Sequence, residues 1–175
     1  MGNYITFKSE KRNIDRCIYI SNGLTTLFIS VLVLSGSSIA SRTREKELTM
    51  WFAEHDYAVC GLGTYGFDIT DIPWTIQEFE FEKKFILSII GEALNKKGWS
   101  LLPYKPVEED IFRVLEEFKG LIQLINIDDV NEDKFYEWKS LADKYPLLKP
   151  PDGFPKCPKH EVYLHYGGCV ICNDI

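Results

Sequence analysis

A predominantly helical α+β fold is what this sequence predicts, and three features point to it. Four to five segments carry apolar side chains at helical spacing, the first 20 residues alternate weakly like strands, and a cysteine-rich stretch follows a proline-rich one near the end. With 175 residues, 45% of them hydrophobic and 14% aromatic, the chain has ample apolar material for one packed core.

The elements follow in order. Tyr4, Ile5 and Phe7, then Cys17, Ile18, Tyr19 and Ile20, read as two short strands. Ser21 or Asn22 then caps a helix whose Leu24, Leu27, Phe28 and Val31 follow the i, i+3, i+4, i+7 stripe, although the β-branched residues between Phe28 and Val33 keep a strand reading open. Leu48, Trp51, Phe52 and His55 give a second helix from Thr43 to about Asp56. Thr75 and Glu78 form a capping box, with Trp74 stapled to Phe79, ahead of a helix that buries Phe85, Ile86, Ile89, Ile90, Ala93 and Leu94. That helix ends at Lys96, Lys97 and Gly98, where glycine suits a left-handed terminus. After Pro106 comes a face of Ile111, Leu115, Phe118, Ile122 and Ile125. Asn131 then caps a last helix with the stripe Phe135, Trp138, Leu141 and Tyr145, which Pro146 stops. The organisation expected is a mainly helical domain over 1–148, a proline-rich linker over 149–156 and a tail over 157–175.

The net charge of −6 argues against a broad nucleic-acid-binding surface. Charge is unevenly spread: residues 1–46 hold seven basic against three acidic side chains, whereas residues 108–143 hold eleven acidic against four basic ones. Such an acidic half suits a basic partner or simply forms a solvated helix face. The uncharged stretch from Ser21 to Ser41, with Ser38-Ile39-Ala40 resembling a cleavage site, leaves a secretion signal or a membrane anchor as alternatives. Its polar Thr25, Thr26, Ser30, Ser35, Ser37 and Ser38, and the acids Glu10 and Asp15 before it, favour a buried core element and no membrane. Five cysteines, three of them within 16 residues, suit a metal in a reduced, cytoplasmic setting better than a disulfide framework.

The tail carries the sharpest signal. Cys157-x2-His160-x8-Cys169-x2-Cys172 supplies two chelating pairs across an eight-residue loop, enough to surround one tetrahedral ion. Pro155 and Pro158 stiffen the first turn, Gly167-Gly168 permits a tight approach to Cys169, and Val162 to Tyr166 alternate like a small hairpin. Residues 157–172 resemble a zinc ribbon or paired zinc knuckle. The resemblance implies one structural Zn²⁺, because four protein ligands leave no position for a catalytic water. His165 stands as a rival to His160 for the nitrogen position.

The central polar segment is less specific. Gly61-Leu62-Gly63-Thr64-Tyr65-Gly66 matches G-x-G-x-x-G, but no helix opens directly after it, which rules out a dinucleotide fingerprint. A glycine hairpin with strands over 57–60 and 67–70 fits better, yet the kinase motifs that accompany such a loop are missing. His55, Asp56, Asp68 and Asp71 could assemble a small hydrolase or nuclease site, with His55 as base and an aspartate on a metal. The alternative is structural: caps, a turn and satisfied backbone donors. Tyr57, Tyr65 and Trp74 among the carboxylates Asp68 and Asp71 have the composition of a partner-binding loop. The leading expectation is a cytoplasmic protein-binding or inhibitor protein, such as the immunity partner of a toxin. A small hydrolase and a nucleic-acid-binding zinc-ribbon protein are the alternatives.

Overall fold

The computed structural model describes residues 2–174, an α+β arrangement in which helices predominate. Two antiparallel strands, β1 (Gly2–Ser9) and β2 (Ile14–Ser21), open the chain with Ile5 opposite Ile18 and Tyr4 opposite Tyr19. Their period of two sends Ile5, Phe7, Ile18 and Ile20 into the core and leaves Tyr4 and Tyr19 outside, edge to face at 5.4 Å.

The ambiguous apolar stretch is a helix, α1 (Asn22–Ile39), with the Ser21 hydroxyl accepting from the Leu24 N–H. It is buried almost all round, because α2 (Thr43–Ala53), α3 (Phe79–Leu94), α4 (Glu108–Leu124) and both strands pack against it. Its length and composition would also suit a membrane span, yet 67% of its residues are buried inside this fold. Hydroxyls in so apolar a helix are satisfied locally, as where Thr25 donates to the Ser21 carbonyl at 2.8 Å.

Phe28, Phe52, Phe67 and Phe118 meet edge to face or tilted at 5.1–6.2 Å and form the aromatic centre where α1, α2 and α4 cross. Gly36 makes the α1–α2 approach possible, since a Cβ there would sit 2.6 Å from Thr49 Oγ1. Gly36→Ala is therefore expected to cost about 1–3 kcal/mol through overpacking. Chemical denaturation checks it, and a restored midpoint in Gly36→Ala/Thr49→Ala, which removes both Thr49 Oγ1 and its methyl, would place the strain at this contact.

The start of α3 differs from expectation. Glu78 occupies the N-cap position without a side-chain cap bond, and Thr75 instead reaches one turn further, to Glu82. Glu82 is 0% exposed and takes three donors: Arg44 Nε at 2.6 Å, the Thr75 N–H at 2.8 Å and Thr75 Oγ1 at 2.8 Å. The Arg44 guanidinium also donates to the Pro73 carbonyl, so one buried ion pair ties α2, the loop before α3 and α3 itself. The expected staple does form, with the Trp74 and Phe79 rings 5.3 Å apart. Gly98 is left-handed at φ 75°, but it opens a short turn at Trp99–Leu101 rather than closing α3, which ends at Leu94.

The fifth helix, α5 (Asp133–Lys144), lies outermost and buries no residue fully. Its predicted stripe is only partly covered: Phe135 and Trp138 are half-buried, whereas Leu141 and Tyr145 are exposed. The segment over 149–156 is mostly exposed, while its last residue and the tail after it pack onto the helical core. Lys156 Nζ donates to the Ser37 carbonyl at 2.6 Å, the Tyr163 N–H to Ser37 Oγ at 3.1 Å, and Val162, Val170 and Ile171 join the main hydrophobic cluster.

Candidate metal centre

Two turns bring the tail's four donors together. In the first, the Glu161 N–H donates to the Cys157 carbonyl at 2.8 Å and the Cys157 N–H to the Val162 carbonyl at 2.8 Å, a reversal that holds Glu161 left-handed at φ 58°. In the second, Gly168 at φ 99° leads into Cys169, the Asn173 N–H donates to the Cys169 carbonyl at 3.0 Å, and the Cys172 N–H points at Cys169 Sγ from 3.5 Å. The hairpin expected between them is reduced to single bridges, Lys156 with Tyr163 and His165 with Gly168. Tyr163 does not alternate outward because it is buried against α1.

His160 Nδ1 lies 3.8 Å from Cys157 Sγ, 3.4 Å from Cys169 Sγ and 3.3 Å from Cys172 Sγ, and the Cys157 and Cys172 sulfurs are 3.9 Å apart. All four ligand atoms fall within 4.8 Å of one another. Bond lengths typical of tetrahedral zinc imply about 3.8 Å between sulfurs and about 3.6 Å between sulfur and nitrogen. A disulfide would need about 2.05 Å. The spacing is thus that of ligands around an ion, and all three cysteines are free thiols.

Cys157, His160 and Cys169 are buried and Cys172 is exposed. Burial pushes the Cys169 thiol up to about 12. At Cys157 burial acts the same way, but the His160 and Lys159 backbone N–H groups and the neighbouring thiols outweigh it and hold this thiol below the ordinary range. Three sulfurs so close together become stable thiolates when a cation neutralises them, the electrostatic demand a divalent metal meets.

His165 is not part of this group. Its Nδ1 accepts from the Gly167 N–H at 3.3 Å, and its Nε2 lies 3.3 Å from Asp56 Oδ2, short of full hydrogen-bond geometry. Asp56 Oδ2 also accepts from Asn173 Nδ2 at 2.8 Å and its Oδ1 from the Ala58 N–H at 2.9 Å. Burial alone would raise the Asp56 pKa, yet His165, Asn173 and Ala58 together hold it below the usual carboxylate range. Asp56 therefore ties the second turn to the loop after α2 through Asn173, the residue after Cys172.

The other residues of the central segment do not converge on one atom. His55 is flanked by Trp51 at 4.3 Å and Phe67 at 4.9 Å, with Nδ1 2.9 Å from the Trp51 carbonyl, and burial lowers its pKa to about 4. A base that weak is poorly matched to work near neutral pH. Asp68 accepts from Thr70 N–H at 2.9 Å, Thr70 Oγ1 at 2.6 Å and Thr6 Oγ1 at 2.6 Å, while Asp71 pairs with Lys134 at 3.3 Å. Among the described residues, the Cys157–His160–Cys169–Cys172 group is where ligand atoms of His, Cys, Asp or Glu gather for a metal.

The glycines have structural roles. Gly61 at φ 72° and Gly63 at φ 77° shape the turn, and a Cβ on Gly66 would meet the Tyr4 carbonyl oxygen at 1.9 Å. The expected flanking strands are instead short 3₁₀ turns at Ala58–Cys60 and Ile69–Asp71. Of the aromatic residues expected on a partner-binding loop, Tyr65 is exposed and Tyr57 half-buried, 5.4 Å apart. Trp74 is a correction: it is 0% exposed and donates Nε1–H to the Ile69 carbonyl at 2.9 Å, so it belongs to the core.

Sequence reasoning missed Glu54. Its carboxylate accepts from Trp138 Nε1 at 2.6 Å, and burial, larger than the effect of that donor, raises its pKa to about 7. A carboxyl raised in the fold favours the folded state below its unfolded pKa, and that advantage fades as pH climbs through about 7. Glu54→Gln is accordingly expected to stabilise the protein at pH 8 by on the order of 2 kcal/mol and to be neutral near pH 4. Paired denaturation curves at the two pH values check this.

Comparison with protein-family models, with curated proteins and with solved structures finds no match to this chain.

Proposed function

We propose that this chain is a cytoplasmic protein-binding protein, of the inhibitor or toxin-immunity kind, whose tail is stapled by one structural zinc ion. The observation that carries the metal part of this reading is the closed donor set of Cys157, His160, Cys169 and Cys172. Four protein ligands at tetrahedral spacing suit zinc and leave no open position for a reacting water. The commitment of His55, Asp56, Asp68 and Asp71 to separate structural partners weakens the hydrolase alternative.

A protein-binding role draws support from the outer face of the molecule. Tyr136 is 61% exposed, Tyr145 58% and Leu147 92%, on and just after a helix whose Asp133, Glu137 and Asp143 are matched by Lys134, Lys139 and Lys144. Large exposed apolar side chains on a face of mixed charge have the composition of a protein interface.

The test is cross-linking mass spectrometry of the tagged protein in its native cells, alongside metal analysis. A stoichiometric partner linked through Lys134, Lys139 or Lys144, lost in Tyr136→Ala/Leu147→Asp, and one zinc per chain are expected. No such partner, or an activity on nucleotides, nucleic acids or esters that Asp68→Asn abolishes, overturns the reading.

A further inference from the structure

A cleft of about 310 Å³ opens between α2, α5 and the proline-rich segment before the tail, a volume at the small end of ligand pockets. Tyr57, Trp138, Phe154 and Tyr166 line it together with the carboxylates Glu47 and Glu54. Two of its polar groups are incompletely matched. Glu54 accepts only the Trp138 indole N–H and has no basic partner among the described residues. Tyr166 buries its hydroxyl without a hydrogen-bond partner among those residues.

The cations nearby are already engaged. Lys139 pairs with Glu47, which also receives Arg44 at 3.2 Å, and Lys149 pairs with Asp152 at 3.0 Å. Glu54 is thus the carboxylate left facing an aromatic-walled space with no counter-ion. A buried polar group without a partner is costly, and the negative faces of tryptophan and tyrosine attract cations.

We propose that this cleft binds a small organic cation, an ammonium or guanidinium group on a flat apolar body, with its charge on Glu54 and its body against Trp138, Tyr57 and Tyr166. The site does not depend on whether α5 receives a protein partner. Burial holds Glu54 at about 7 without a ligand, so a cation takes up the carboxylate form and binding strengthens as pH rises. The charged and titratable groups around Glu54 are Glu47 on α2, Lys139 on α5, Lys149 and Asp152 in the proline-rich segment, His55, Asp56, Tyr57 and Cys60 in the loop after α2, and Tyr166. His55, at about 4, stays neutral between pH 6 and 8.

The experiment is an NMR titration that follows the Trp138 indole N–H, identified by its loss in Trp138→Phe. Benzylguanidinium, charged at every pH used, is compared with its neutral isostere benzylurea. At pH 8 the cation is expected to bind at least about tenfold more tightly, and its affinity to fall about tenfold at pH 6. Glu54→Gln, which still accepts the indole N–H, is expected to remove both the preference and the pH dependence, and Tyr166→Phe to weaken the cation alone. If N-acetylargininamide outbinds benzylguanidinium, the cation comes from a peptide arginine; the reverse order marks a free aromatic cation. Equal binding of cation and urea, an unchanged preference in Glu54→Gln, or no shift at millimolar probe overturns the proposal and leaves a cleft that holds water only.

Discussion

Replacing Cys169 with serine is expected to release the metal and to destabilise the chain by about 4 kcal/mol, the linkage lost when free metal stands about a thousandfold above its dissociation constant. The effect starts at the tail. Without the ion, the two turns lose their common anchor, and Asp56 and Asn173 no longer hold the second turn against the loop after α2. The loss spreads because Val162, Val170 and Ile171 are part of the main core, each contributing about 1.5–3 kcal/mol of burial. Hydrogen exchange distinguishes the steps: amides of Tyr163 and Gly168 are expected to open first, while those of α4 stay protected. Wild-type protein stripped by a chelator is expected to behave as Cys169→Ser does, whereas Cys17→Ser, at an exposed cysteine on β2, leaves the denaturation midpoint unchanged.

Glu82→Ala carries the other large effect, an expected loss of about 3–5 kcal/mol, the range for breaking a buried pair by removing one member. The substitution strands the Arg44 guanidinium in a buried position and frees both Thr75 donors. Arg44 is then left with Glu47 at 3.2 Å and the Pro73 carbonyl. Glu82→Gln keeps one acceptor oxygen but turns the other into an NH2 donor and removes the charge, so its cost is expected to fall between those of wild type and Glu82→Ala. Denaturation of the three proteins checks the order. A Glu82→Ala loss below about 1 kcal/mol would mean the pair contributes no more than an exposed one.

Which features the sequence discloses depends on how local their physics is. The helices α2 to α5 and the hairpin were legible because apolar spacing reports burial directly, as in Ile111, Leu115, Phe118 and Ile122 on α4, whereas α1, apolar almost all round, left helix and strand both open. The metal group was legible because its four ligands lie within 16 positions of one another and need no distant residue. Contacts between distant segments were not. Thr75 and Glu78 have capping-box spacing, but the carboxylate that serves Thr75 is Glu82, which pairs with Arg44, 38 positions away. Glu54 and Trp138 are 84 positions apart, and Asp56 and Asn173 are 117 apart, so no periodicity announces either pair. Trp74 illustrates the opposite error: its aspartate neighbours suggest a surface, while its indole N–H finds a backbone carbonyl five residues back and the ring is buried.

X-ray absorption at the metal edge of the purified protein tests the centre most directly. Three sulfurs at about 2.3 Å and one nitrogen at about 2.0–2.1 Å are expected, with the nitrogen shell lost in His160→Ala and retained in His165→Ala. A protein without stoichiometric metal, a shell dominated by oxygen, or a nitrogen contribution that disappears with His165 instead would contradict a single ion held by Cys157, His160, Cys169 and Cys172.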